Sequence, residues 1–276
     1  MTNLFNSGIR PAIDDYLLAK AQEKRDYGNY WSASSAGYCM RKLIFERLGV
    51  PHVSKEDDAR KQRVFTSGHI FHEWIQKLTQ EAGLSIASEV ELQDENLMVR
   101  GHFDDLVLIS YDENGETPVR VGAEQRAQHL ILYDYKTVNS QAFKYKTEKM
   151  SHYHKMQLGT YLYLLRQKFK DTYLEILGDE KKAPVKHLEE ARILLISKDD
   201  LRMAEQQLLW TPQLEKAVVG FWKTLNGYWE RKVIPSCTCA DYEGGFMAKE
   251  KWNPYFYNDE PCSMELYKQF KEAKNG

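Results

Sequence analysis

The stretch Ile131-Leu132-Tyr133-Asp134-Tyr135-Lys136-Thr137 decides how this chain is read. Its apolar and aromatic residues predict a strand over about 129–138, ending in an acid, one spacer and a lysine. Side chains alternate across a strand, so Asp134 and Lys136 share one face while Tyr133 and Tyr135 share the other. A carboxylate beside an ammonium group at a strand end suits metal-dependent phosphodiester hydrolysis. The acid holds a divalent cation, and the lysine steadies the attacking water or the charged phosphate. The same two residues would also serve an ordinary cross-strand ion pair, so the reading depends on what flanks them.

Working outward, a long helix is expected over 57–81, with Val64, Phe71, Trp74, Ile75 and Leu78 facing the core and Gly83 as its cap. Earlier helices are expected over 13–27, stopped by Gly28, and over 41–48, ending at Gly49. Strands follow near 84–92 and 97–109, then a turn at Asp112-Glu113-Asn114-Gly115. Beyond the Asp134 strand come a helix over 151–169, a buried strand over 190–197, and helices near 199–209 and 212–231. An irregular tail over 235–262 carries three of the cysteines. This alternation makes the class α/β, a mixed β-sheet core flanked by helices.

No Pro/Gly/Ser-rich linker divides the 276 residues, so one domain is expected over 1–276. Net charge is −2, which excludes a bulk basic protein and leaves nucleic-acid contact to a local patch. The first residues lack the apolar core of a signal peptide. No run approaches the ~18 apolar residues of a membrane span. A cytoplasmic protein without membrane contact follows, and its four cysteines argue for thiols or a metal site rather than disulfides.

Four short patterns stand in order around the Asp-x-Lys. Gly68-His69-Ile70-Phe71-His72 puts Gly68 and His72 one turn apart on a helix, where a neutral imidazole suits a metal. Gly101-His102-Phe103-Asp104 lies in a largely apolar strand, where a carboxylate is costly unless paired or bound to metal. Asp104 and Asp105 face opposite ways, so one of them enters the site. Asp134 and Lys136 come third. Tyr153, Gln157 and Tyr161 then form one helical stripe with a glutamine at its centre, which apolar packing alone would not choose. Each pattern singly has a plain structural explanation, a half-buried histidine or a polar helix rim among them.

Jointly, G-x-x-x-H, G-x-x-D, D-x-K and Q-x-x-x-Y resemble the RecB-like branch of the PD-(D/E)xK nuclease superfamily, and within it the CRISPR-associated and viral iron–sulfur exonucleases. The resemblance spans residues 32–262 and implies a restriction-endonuclease-like fold. It implies His72, Asp104, Asp134 and the backbone carbonyl of Tyr135 as ligands of Mg2+ or Mn2+, and Lys136 as the catalytic lysine. Gln157 and Tyr161 would support the site or the DNA, and Glu89 falls on a family position without a firm role. The implied activity is metal-dependent exonuclease hydrolysis of single-stranded DNA ends. The competing readings are a non-catalytic nucleic-acid-binding module and a structural metal-cluster protein.

Cys39, Cys237, Cys239 and Cys262 would clip the two chain ends together, and a set of four cysteines suits a 4Fe-4S cluster or a structural zinc. The resemblance favours the cluster, although Cys237-Thr238-Cys239 has one spacer where two or more are usual. Residues 28–56 and 232–276 would then form a metal-cluster subregion around a catalytic core over 57–231. Lys144, Lys146, Lys149, Lys155, His152 and His154, interleaved with Phe143, Tyr145 and Tyr153, read as a single-strand track extended by Arg41, Lys42 and Arg63. A solvated helix start with scattered aromatics explains the same residues.

Overall fold

The strand carrying Asp134 is buried on both faces, as its nearly continuous apolar run requires. Ile131, Tyr133 and Tyr135 pack with Ile75, Val107 and Ile196 on one side. Leu130 and Leu132 pack with Leu106, Leu158, Leu162 and Ile193 on the other. The structure, a computed structural model, describes residues 9–22, 28–53, 58–111, 118–119, 127–168, 188–241, 248–249 and 253–275.

In chain order the elements are α1 (Ile9–Gln22), β1 (Trp31–Ser32), α2 (Met40–Leu48), α3 (Asp58–Glu81), β2 (Ser85–Ser88), β3 (Glu91–Asp94), β4 (Val99–His102), β5 (Asp105–Tyr111), β6 (Pro118–Val119) and β7 (Ala127–Val138). Then follow α4 (Ser140–Lys146), α5 (His152–Lys168), β8 (Glu190–Ser197), β9 (Met203–Leu209), α6 (Pro212–Glu230) and α7 (Met264–Asn275). Six strands form one sheet in the order β2-β5-β7-β8-β9, with β6 beside β5; β1-β4-β3 form a smaller one. Strands β7 and β8 run parallel and their outer neighbours antiparallel, so the large sheet is mixed. Helix α3 covers the face with Tyr133 and Tyr135, while α5 and α6 cover the opposite face. The class is therefore α/β, a mixed sheet core flanked by helices, with four cysteines from distant segments gathered in one place. Among the described residues no helix is long and apolar enough to cross a membrane.

Several expectations need correction. The strand expected over 84–92 is two strands, split at Glu89 with a φ of 53°. The strand over 97–109 is also two: β4 pairs in the small sheet, and the chain passes through Phe103 and Asp104 before joining the large sheet as β5. The helix expected near 199–209 is a hairpin arm. Leu201 turns with a φ of 59°, and β9 then pairs antiparallel to β8 from Ile196↔Met203 to Glu190↔Leu209. Met-Ala-Glu-Gln-Gln-Leu-Leu is good helix material, but the open edge of β8 offers a full ladder and tertiary pairing overrides the preference.

Of the core face expected for α3, Ile75 is 4% exposed, while Val64, Trp74 and Leu78 are 50%, 38% and 43% exposed. Only a narrow stripe of α3 meets the sheet, and its first half is joined to α1 instead, by Arg63 donating to Asp14. Helix α1 begins at Ile9, and the expected stretch 23–27 lies outside the described residues, as does the turn 112–115. Helices α4 and α7 are additions to the expected order.

Helix α6 is fastened from within. Trp222 Nε1 donates to Thr160 Oγ1 at 3.1 Å, and Asn226 accepts from Trp31 Nε1 at 2.7 Å while donating to the Leu97 carbonyl at 2.8 Å. Gly159 lets α5 and α6 approach: a Cβ there would stand 2.9 Å from Leu214 Cδ1 and 3.0 Å from Val218 Cγ2. Gly220 has nothing within 4 Å of such an atom. Gly159→Ala should therefore cost about 1–3 kcal/mol by overpacking, whereas Gly220→Ala should stabilise by about 0.5–1 kcal/mol through helix propensity. Urea unfolding of both variants checks the opposite signs.

Candidate active site

The site arises where one strand pairing stops. Strands β5 and β7 pair as far as Asp105↔Tyr133, but β7 continues to Val138 beside β8 alone. From Asp134 onward the other edge of β7 is therefore open, because the chain before Asp105 has turned toward the small sheet. Asp104 bridges the gap: its Oδ2 accepts from Tyr135 N at 2.6 Å. A residue's N–H and C=O lie on the same edge of a strand, so the Tyr135 carbonyl also faces this gap.

The neighbouring acids divide as the alternation of a strand demands. Asp105 is fully buried on the α3 side and completely hydrogen-bonded, accepting from Thr79 Oγ1 and Tyr135 Oη at 2.7 Å each and from Ser85 Oγ at 2.6 Å. Asp104 turns instead to the open edge of β7, with Oδ2 3.5 Å from His72 Nδ1. Burial pushes Asp104 up, but His72, Lys136 and the Tyr135 amide together hold it below its ordinary value. Burial likewise opposes charge on His72, and the Asp104 carboxylate outweighs it, so the imidazole is raised.

Asp134 lies on the α5 face and is 4% exposed. Its Oδ1 accepts from Lys136 Nζ and from Gln157 Nε2, each at 3.0 Å. Lys136 Nζ also lies 2.7 Å from Oδ2, but no donor is aligned on that buried oxygen. Burial pushes Asp134 up to about 6, with Lys136 pulling down and Asp104 pushing up. Burial disfavours the Lys136 ammonium, yet Asp134 and Asp104 more than offset this, so the group stays charged.

Of the residues singled out in the sequence, the structure brings together His72, Asp104, Asp134, Lys136, Gln157 and the backbone of Tyr135. Tyr161 sits one turn beyond Gln157, in the core against Gly101: a Cβ on Gly101 would stand 3.2 Å from its hydroxyl and 2.8 Å from Ala33 Cβ. Sequence reading overlooked Gln76. Its Nε2 donates to Glu89 Oε1 at 2.9 Å and to the Asp104 carbonyl at 3.0 Å, joining α3 to both. The signal is the spacing Gly68, His72, Gln76, one stripe of α3.

The donor set suits a hard cation: two carboxylates, of which that of Asp134 keeps Oδ2 without an aligned donor, an imidazole and a strand carbonyl. The groups approach from both faces of the sheet edge. Among the described residues, only the four cysteines gather three or more ligand atoms within 4.8 Å of one another.

Lys136 and Gln157 open into a cleft of about 960 Å³, also lined by Tyr38, Lys42, Tyr145, Lys146, Lys149, Tyr153 and His154. Tyr38 stacks on Tyr153 with centroids 4.8 Å apart, and Lys42 Nζ stands 4.5 Å over the Tyr38 ring. Lys144 is exposed on α4 and does not line the cleft. Arg41 is committed elsewhere: it donates to the carbonyls of Pro235 at 2.7 Å and Cys262 at 3.2 Å, and stands 3.6 Å from Glu260.

The Sγ atoms of Cys39, Cys237, Cys239 and Cys262 all lie within 4.8 Å of one another. Cys39 and Cys237 are 3.9 Å apart, and Cys239 and Cys262 3.5 Å. Asn253 Nδ2 donates to Cys239 and Cys262 at 3.5 Å each, and Thr238 N to Cys39 at 3.4 Å. Contacts with Cys237, Cys239 and Cys262 hold Cys39 far down, whereas crowding by Cys237 first of all pushes Cys239 and Cys262 up. Four cysteines this close could hold a metal ion or cluster, whose binding would draw off their protons.

No protein-family model and no curated protein matches the sequence. Among solved structures the chain is similar to SSO0001, with a TM-score of 0.46 and 16% identity over 83% of this chain and 88% of that one. It is also similar to LHK-Exo, an alkaline exonuclease from Laribacter hongkongensis, with a TM-score of 0.39 and 14% identity over 74% of this chain and 93% of that one. The complex of LHK-Exo with dAMP gives 0.38 and 16% over 75% and 94%. Likeness at this level carries no chemistry across.

Burial pushes His154 down to about 3, with Lys136 and Lys146 adding to the effect. The unfolded chain takes up this proton as pH falls through the ordinary histidine range and the folded chain does not. Stability from this residue is thus present at neutral pH and is lost as pH falls from about 6.5 toward 3, by up to about 1.4 kcal/mol per unit. Between pH 7.5 and 5, His154→Gln should lose on the order of 1–2 kcal/mol less than the parent chain, as measured by chemical denaturation.

Proposed function

We propose that this protein is a metal-dependent deoxyribonuclease that hydrolyses phosphodiester bonds at single-stranded DNA ends. One observation carries the reading. A buried carboxylate, Asp134, is held across an open strand edge from Asp104 and His72 by Lys136 and Gln157, and these two holders line a lysine- and tyrosine-bearing cleft. One or more residues of each pattern that resembles RecB-like nucleases, His72, Asp104, Asp134 with Lys136, and Gln157, take part in these contacts, and this supports the same reading.

In this proposal Asp104, Asp134, His72 and the Tyr135 carbonyl hold one or two Mg2+ or Mn2+ ions. Bound there, the metal would lower the pKa of water and neutralise charge at phosphorus. Lys136 keeps its ammonium form between two carboxylates, so it can orient the attacking water and stabilise charge developing on the phosphate. Gln157 fixes Asp134 by holding Oδ1, which leaves Oδ2 without an aligned donor. The His72 and Gln76 contacts hold Asp104 from the other face, and Tyr161 supports this helix from the core. Lys42, Lys146 and Lys149 line the cleft for backbone phosphates, and the exposed Tyr145 offers ring surface to bases, while Tyr153 is buried in its stack with Tyr38. The chain acts in a cytoplasmic setting, cellular or viral, as one nuclease domain whose core over 57–231 is clasped by the cysteine-bearing segments.

The test is a DNA strand labelled at either end, beside a closed single-stranded circle, incubated with Mg2+, Mn2+ or EDTA. Metal-dependent loss of the linear strand with survival of the circle is expected. Asp134→Ala and Lys136→Ala should each lower the rate on the order of a hundredfold or more while melting as cooperatively as the parent. Cleavage in EDTA, or undiminished cleavage by both variants, would sink the proposal. Replacing Lys146 or Lys149 by Ala should flatten the dependence of strand affinity on salt by roughly one counterion each, read from binding isotherms at several salt concentrations.

A further inference from the structure

We propose that the four cysteines hold one tetrahedral zinc ion, and not the four-iron cluster that the sequence resemblance implies. Space decides between the two. Zinc–thiolate bonds of about 2.3 Å place the sulfurs of a regular tetrahedron about 3.8 Å apart. The Cys39–Cys237 and Cys239–Cys262 separations, 3.9 and 3.5 Å, fall on either side of that value, and every pair lies within 4.8 Å. In a 4Fe-4S centre each thiolate sits on its own iron and points outward from a body of four irons and four sulfides. A cage whose sulfurs are this close to one another has no room for that body.

The surroundings fit a closed structural site. Cys39, Cys239 and Cys262 are buried, and Cys237 is partly so. The Asn253 amide and the Thr238 N–H donate to three of the sulfurs, which offsets thiolate charge and orients the ligands. All four positions are sulfur, the set that tetrahedral zinc takes in structural sites, and zinc outcompetes ferrous iron for such ligands. The ion would join chain segments 198 residues apart. Cys39 also immediately follows Tyr38, which lines the cleft and stacks on Tyr153. Sulfur geometry alone carries the assignment, independently of the nuclease reading.

The full chain is expressed with both zinc and iron supplied, purified without chelator under nitrogen, and analysed for zinc, iron and acid-labile sulfide. One zinc per chain, no sulfide and a colourless solution are expected. Iron with matching sulfide and a brown colour would overturn the proposal, as would iron without sulfide or no bound metal. Cobalt added to the zinc-depleted chain should give the intense visible bands of a four-thiolate tetrahedron, shifted in Cys237→Ser. Absence of those four-thiolate bands would equally overturn it. These readouts report metal and coordination rather than cleavage, so a failure here leaves the active-site reading standing.

Discussion

A carboxylate as deeply buried as that of Asp134 is tolerable only because an ammonium group shares its pocket. Removing either partner would leave an uncompensated charge in a poorly solvated place. That single pairing organises much around it. Lys136 must lie on the same face as Asp134, which the two-residue repeat of the strand ensures, and Gln157 must reach in from α5 to occupy the remaining donor position. The strand must in turn be sealed on both faces, which the tyrosine–isoleucine cluster under α3 and the leucine cluster under α5 provide.

The second constraint is topological. Had the chain run straight from β4 into β5 within one sheet, β7 would have been paired along both edges and no gap would exist. Instead the chain changes sheets at Phe103 and Asp104, and the backbone donor that loses its strand partner is taken by the Asp104 carboxylate. The glycine before it has a matching task. Gly101 lies where Ala33 and Tyr161 leave no space for a side chain, so the G-x-x-D pattern records close packing at Gly101 and a turn out of the sheet at Asp104.

The cysteine centre lies apart from this chemistry but is mechanically joined to it. Arg41 ties α2 to the carbonyls of Pro235 and Cys262, and Tyr38 beside Cys39 reaches the cleft. Phe45 and Tyr255, both fully buried, pack edge to face behind the sulfurs. Residues from the two ends of the described chain thus form one small core whose polar centre is four thiols.

Much of the site was legible in the sequence because it is written in short-range periodicity. The faces of Asp134 and Lys136, the opposite turning of Asp104 and Asp105, and the placing of Gln157 on a helical stripe all follow from repeats of two or of three to four residues. Periodicity also marked the strand over 190–197 and the long helices. It could not tell a strand from a helix over 203–209, where helix-forming residues take the open edge of β8, nor foresee that Val64, Trp74 and Leu78 would stay exposed on a helix that meets the sheet along a narrow stripe. It also could not see Glu89 and Phe103 as the points where strands break. The sequence alone therefore determined which side chains share a face and which chemistry they offer, because those depend on neighbours along the chain. Only the tertiary structure decided that β7 has an open edge, that His72 and Asp134 meet it from opposite sides, and how far apart four sulfurs stand, because distances between remote segments are set by packing rather than by local repeat.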